Sequence, residues 1–226
     1  NWGCIPTKAL LRTADVFDLF HRAEEFGLKA DNVSFDLDAV VKRSRKVAGR
    51  LSSGVSMLMK KHKIEVIEGE ARLEKAAKGS KAPKVIVKGE GGETEYGADH
   101  VILATGARAR TLPDAGLEPD GKHIWTYKEA MVPKAMPKSL LVIGSGAIGM
   151  EFASFYDAMG ADVTVVEMVD RILPAEDAEI STFAEKAFKK RGVTIHTEAQ
   201  VGALKSGDKG VAAEVKLKSG KTETLQ

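Results

Sequence analysis

The sequence predicts an α/β fold, and three stretches carry that prediction. The first is Ser139-Leu140-Leu141-Val142-Ile143, an apolar run of strand length followed at once by Gly144-Ser145-Gly146-Ala147-Ile148-Gly149, a helical pattern over 150–159, and a second strand, 162–166, that ends in Glu167. The second is His100-Val101-Ile102-Leu103-Ala104, a nearly all-apolar run of the kind buried on both faces of a parallel sheet. The third is a pair of long amphipathic helical patterns in the first 62 residues.

The chain opens with Asn1-Trp2-Gly3-Cys4-Ile5-Pro6-Thr7-Lys8, which holds its only cysteine. Pro6 suits the first turn of a helix, where the amide it lacks has no intrahelical partner. Ala9, Leu10, Ala14, Val16, Phe17 and Phe20 continue an apolar helical pattern, and no glycine interrupts before Gly27. Cys4 is therefore expected at a helix N-terminus, where free amides and the macrodipole favour a thiolate, with Lys8 close enough to share what it faces. A buried structural thiol is the plainer alternative for a lone cysteine. After a break at 32–36, Leu37, Val40, Val41, Val47, Leu51, Val55, Leu58 and Met59 predict a second helix over 36–62.

From Ile64 the period falls to two: Ile64, Val66 and Ile67 lead to Gly69. A loop over 75–84 separates them from a hairpin with strands at 84–88 and 93–98 and a turn at 89–92. The apolar strand 100–104 then enters Ala104-Thr105-Gly106, where glycine permits a tight turn or close approach to a ligand. Residues 109–138, with four prolines and a short helix near 127–131, read as a connection, with a boundary near Pro137. Beyond Glu167 follow a helix at 177–190, a strand at 193–196 and a hairpin around Ser219-Gly220.

Each glycine of the 144–149 turn has a reason. Gly144 allows the sharp strand-to-helix turn, Gly146 lets a pyrophosphate meet bare backbone, and Gly149 lets helix and strand approach. The helix N-terminus offers amides and partial positive charge to phosphate. Glu167 can accept hydrogen bonds from ribose hydroxyls and would repel a 2′-phosphate, so NAD is favoured over NADP; Arg171, the one nearby cation, comes four positions late.

Composition excludes several classes. Net charge is +2, from 34 basic and 32 acidic residues with the signs interspersed, so there is no field suited to nucleic acid. The basic face of the second helix (Lys42, Arg43, Arg45, Lys46, Arg50, Lys60, Lys61) lacks interleaved aromatics for base stacking and reads as solvated. No apolar run approaches the ~18 residues of a membrane span. One cysteine and five scattered histidines give no metal-ligand spacing.

The opening octet, continued by Ala9-Leu10-Leu11, resembles the second half of the redox-active segment of the flavin-dependent pyridine-nucleotide disulfide oxidoreductases, C-L-N-x-G-C-I-P-[ST]-K-A-L-L, and the 144–151 stretch resembles that family's G-x-G-x-I-G-x-E. The resemblance implies two nucleotide-binding Rossmann-like domains, both incomplete: 1–136, a partial FAD-binding domain with the cysteine helix and a small β-hairpin segment, and 137–226, a partial NAD-binding domain. It also implies a partner cysteine two residues before Asn1. Catalytic roles fall to Cys4, Lys8 and Glu151, with Lys8 and Glu151 in contact beside the flavin. FAD would be bound by Lys8, Ala71 (at a position usually glycine), Ala104, Thr105 and Gly106. NAD would be bound by Gly144, Ser145, Gly146, Ala147, Ile148, Gly149, Glu151, Glu167 and, through its backbone, Val201.

The implied activity is electron transfer from a dithiol through the cysteine pair and FAD to NAD+, in a cytoplasmic enzyme. The string C-I-P-T-K-A-L-L with Glu167 looks most like the branch that oxidises dihydrolipoamide. The implied partners are dihydrolipoamide or the lipoyl domain of a 2-oxoacid dehydrogenase complex, and a second copy forming a homodimer. The chain is then an internal piece, marginally stable and inactive alone. A mercuric or glutathione-type reductase, or a dinucleotide-binding module without redox chemistry, are the alternatives.

Overall fold

Helix α1, Cys4–His21, begins the computed structural model, which describes residues 1–75, 83–111, 113, 116–208 and 210–226. Thr7 ties its first turn, the amide and Oγ both donating to the Gly3 carbonyl. The helix stops earlier than the uninterrupted pattern suggests, giving way to a 3-10 turn over Ala23–Phe26 that ends at left-handed Gly27. Helix α2 covers Leu37–Lys61. By contact the chain divides into two units, Asn1–Leu51 with Ala109–Gln226, and Ser52–Arg108.

The first unit holds a parallel three-stranded sheet, β4 (Ser139–Ile143), β5 (Asp162–Val166) and β6 (Thr194–His196), in that order. Helix α4 (Ala147–Ala158) connects β4 to β5, and α5 (Ala178–Arg191) leads to β6. This is the strand–turn–helix–strand unit that the glycine pattern predicts. A second sheet, β7 (Gln200–Gly207), β8 (Gly210–Lys216) and β9 (Thr222–Leu225), is antiparallel and includes the hairpin expected at Ser219-Gly220. Short helix α3 spans Tyr127–Met131 and opens on a capping box, Thr126 with Glu129.

One apolar cluster joins Leu10 and Ala14 of α1, Met131 of α3, Met150, Ala153, Phe155 and Tyr156 of α4, and Val163 and Val165 of β5. The buried Tyr156 hydroxyl donates to the Ala130 carbonyl, so this polar atom carried into the cluster is satisfied. A smaller cluster of Val166, Ala199, Val201, Ala213 and Val215 fixes the second sheet to the end of β5.

The second unit is an antiparallel sheet of β1 (Glu70–Glu74), β2 (Lys84–Gly89) and β3 (Gly92–Gly97), with the last turns of α2. Gly69 is required at its entry, because a Cβ there would lie 2.7 Å from the Lys88 carbonyl oxygen. Most of the expected 75–84 loop lies outside the described residues.

Two expectations fail in this unit. Residues 100–104 form no strand; Ile102 is 90% and Leu103 70% exposed, so the doubly buried parallel strand is absent. Residues 64–67 likewise form no strand, and Ile64, Val66 and Ile67 are exposed. A strand exists only where a neighbour supplies amides and carbonyls. Neither segment pairs with another strand among the described residues, and apolar composition does not substitute for that ladder.

Candidate functional site

Cys4 is the first residue of α1, at the positive end of a helix whose first turn carries no acidic residue. The thiol is exposed, which sets aside the buried structural cysteine. It opens onto a groove lined by Cys4, Ile5, Lys8 and Ala9 of α1 and Arg43, Val47 and Leu51 of α2. Arg43 holds the two helices together, donating to the Ala9 carbonyl at 2.8 Å and to Thr13 Oγ1 at 3.3 Å. The guanidinium of Arg45 lies 4.0 Å from the Trp2 ring centroid and donates to the Asn1 carbonyl, which anchors the strand of chain leading to the cysteine.

Lys8 donates through Nζ to Glu151 Oε1 on α4, joining residues 143 apart in sequence. The contact follows from the core: Leu10 and Ala14 of α1 are buried in the same cluster as Met150 and Ala153 of α4, which brings the polar flanks of both helices together. The lysine side chain is 61% exposed, and an exposed pair of this kind contributes about 0–1 kcal/mol. Its consequence is position: the ammonium is held one helical turn from the thiol and beside the groove.

The 144–149 turn has the shape its glycines require. Gly144 has φ +93°, and its amide donates to the Val166 carbonyl. A Cβ at Gly149 would sit 2.2 Å from the Gly144 carbonyl oxygen and 3.2 Å from Val142 Cγ1, so helix and strand touch there. A Cβ at Gly146 would meet nothing within 4 Å. That space lies in front of the α4 N-terminus, where Ala147 and Ile148 stand in a first turn with no acidic residue and no side-chain cap. Bare amides facing open space at the end of a parallel strand fit a pyrophosphate.

Glu167, at the end of β5, is nearly buried. Its Oε2 accepts from the Ser145 amide at 2.8 Å and from Ser145 Oγ at 2.6 Å; its Oε1 accepts from the Val169 amide at 3.1 Å. Burial works against ionisation, but these bonds from Ser145 and the amides of Val169 and Met168 outweigh it and hold the carboxyl below its ordinary range. The sequence reading assigns Glu167 to the ribose and counts Ser145 among the NAD-binding residues without linking the two. The serine hydroxyl reaching back to the carboxylate is visible only in the fold. Arg171 is turned to the Pro174 carbonyl, away from Glu167 as a partner.

The remaining expected residues are dispersed. Val201 is buried in the smaller cluster and pairs with Val215, just before a register shift in β7, leaving its main chain as the part that could meet a ligand. Ala71 lies in β1 opposite Val87 without positive φ, so alanine is tolerated there. Ala104, Thr105 and Gly106 are exposed, with Gly106 turning at φ +75°. These four belong to the second unit, whereas Cys4, Lys8, Glu151, the glycine turn, Glu167 and Val201 belong to the first.

The pyridine nucleotide-disulphide oxidoreductase family matches residues 1–226. The chain belongs to this family. Among similar proteins, the dihydrolipoyl dehydrogenase of Rhizobium etli is 52% identical over all of the chain and 48% of its own length, and that of Zymomonas mobilis is 51% identical over 98% of the chain and 46% of its own length. The solved structure of LpdA from Mycobacterium tuberculosis superposes with a TM-score of 0.85 at 29% identity, covering 98% of this chain and 47% of that one. The chain thus spans about half the length of the curated relatives it matches. The mixed parallel and antiparallel architecture is that of the family's nucleotide-binding fold. Among the described residues no helix is long and apolar enough to cross a membrane.

Proposed function

We propose that this chain is the electron-transfer part of a dihydrolipoamide-oxidising flavoprotein. Residues 1–136 would serve FAD, and residues 137–226 would serve NAD+. This functional boundary differs from the contact boundary because α1 buries Leu10 and Ala14 with α4. The observation that carries the reading is the Lys8–Glu151 pair, which ties the cysteine helix to the helix of the dinucleotide turn within one unit.

Each residue then has a task. Cys4, exposed at a helix N-terminus, accepts the electron pair from the dithiol as one member of a disulfide whose other half is the cysteine expected two residues before Asn1. Lys8, oriented by Glu151, keeps a cation beside the groove where negative charge develops. FAD, which Ala71, Ala104, Thr105 and Gly106 would help to hold, would supply the relay from sulfur to nicotinamide. The α4 N-terminus and the bare backbone at Gly146 bind the NAD+ pyrophosphate, Glu167 takes the ribose, and the Val201 main chain meets the adenine. The balance is closed: dihydrolipoamide loses two electrons and two protons, NAD+ gains a hydride, and one proton leaves to solvent.

The name shared by these relatives supports dihydrolipoamide, presented free or on the lipoyl domain of a 2-oxoacid dehydrogenase complex, and Glu167 supports NAD+ over NADP+. A cytoplasmic homodimer is the assembly this reading implies. The test is a steady-state assay of the full-length protein carrying this chain: dihydrolipoamide and NAD+ should yield NADH. No turnover with dihydrolipoamide, alongside turnover of glutathione disulfide or mercuric ion with NADPH, would overturn the substrate.

A further inference from the structure

The geometry points to Ser145 as the positioning residue for the ribose-reading carboxylate, so that discrimination between a 2′-hydroxyl and a 2′-phosphate is set by the Ser145–Glu167 pair rather than by Glu167 alone. The inference rests on the dinucleotide reading above and deepens it.

Every polar atom of Ser145 is committed. Its amide and its hydroxyl both donate to Glu167 Oε2, and its carbonyl accepts from the Leu173 amide at 3.0 Å. The residue is fully buried, so water does not replace these partners. Leu173 is itself held in the left-handed region, at φ +48°, and its carbonyl accepts from the buried Ser181 hydroxyl. A branched residue adopts that conformation only where its surroundings impose it. The backbone of Glu167 is fixed as well: its amide donates to the His196 carbonyl, and its carbonyl accepts from the Ala199 amide. The phosphate turn, the end of β5 and the segment after it are thus one hydrogen-bonded body with Ser145 at its centre.

The lone pairs decide what remains for a ligand. Oε2 accepts two bonds, from the Ser145 amide and hydroxyl, and the amides of Val169 and Met168 also bond the carboxylate, so its orientation toward a ribose hydroxyl is set largely by Ser145. Removing the hydroxyl would leave Oε2 with the amide alone and allow the carboxylate to turn. It would also weaken the bias toward the charged form that repels a phosphate.

Calorimetric titration of the full-length protein carrying this chain with NAD+ and with NADP+ tests this in wild type, Ser145→Cys and Ser145→Ala. The wild-type protein should bind NAD+ more tightly than NADP+. Ser145→Ala should weaken NAD+ binding roughly 3- to 10-fold, the range expected for one lost hydrogen bond, with NADP+ affinity unchanged or improved. The acid limb of the NAD+ affinity profile should move to higher pH, and Ser145→Cys, a weaker donor of similar shape, should fall between. An acid limb that stays in place, or an equal loss for both dinucleotides in Ser145→Ala and Ser145→Cys, overturns the inference while leaving the dinucleotide site standing. A full-length wild-type protein that binds neither dinucleotide overturns the site and the inference together.

Discussion

Cys4 and Lys8 sit one turn apart on α1, and what surrounds them is asymmetric: a helix N-terminus behind the sulfur, a carboxylate from α4 against the ammonium. Because the Lys8–Glu151 pair is exposed, its role separates cleanly from stability. A double-mutant cycle of Lys8→Met and Glu151→Gln, followed by urea denaturation, should give a coupling of no more than about 1 kcal/mol. The same variants in the full-length protein should lower kcat for dihydrolipoamide oxidation at least tenfold. Gly149→Ala makes the opposite case. Its Cβ would lie 2.2 Å from a backbone oxygen, so helix and strand must separate, at a cost of about 1–3 kcal/mol read from the denaturation midpoint. Such residues were legible because each motif is local: eight residues around the cysteine, six around the glycines. The bonds from Ser145 to Glu167 were not, since they span 22 positions and depend on how β5 lies beside β4.

Elements divide along the same line. Residues 139–143 and 100–104 are similar apolar runs, yet the first pairs in register with β5, from Ser139 opposite Asp162 to Ile143 opposite Val166, while the second pairs with nothing among the described residues. Composition reports that a segment is suited to burial; it does not report whether a neighbour is present to bury it. Helices are less exposed to this error, because their hydrogen bonds are internal, and the expected 36–62 and observed Leu37–Lys61 differ only at the ends. The connection before α3 carries a feature no periodicity reveals. Asp120 is partly desolvated, but the amides of Ile124, Lys122 and His123 and the Ser206 hydroxyl outweigh that and hold its carboxyl down to about 2 from an ordinary 3.8. A carboxyl lowered by folding contributes stability that is fully present above its unfolded value and is lost as pH falls through the folded one. Asp120→Ala should therefore cost about 1 kcal/mol near neutrality, discounted for exposure, and the difference from wild type should vanish between about pH 4 and pH 2. Thermal unfolding across that range checks it.

At the scale of the molecule, the first unit brings together what the sequence keeps apart: a thiol at residue 4, a glycine turn at 144–149 proposed to hold phosphate and a carboxylate at 167 proposed to read ribose, around one core shared by α1, α4 and β5. The unit of Ser52–Arg108 carries the other residues expected to hold FAD. Relatives about twice as long share the architecture, and the activity proposed here belongs to the whole protein. Its central claim is that electrons enter through Cys4 and leave through the dinucleotide site. Anaerobic titration of the FAD-loaded full-length protein, followed by visible absorption, addresses both routes in one experiment. Dihydrolipoamide and NADH should each bleach the flavin in wild type, whereas in Cys4→Ser only NADH should do so. A Cys4→Ser protein bleached by dihydrolipoamide as readily as wild type would contradict the account.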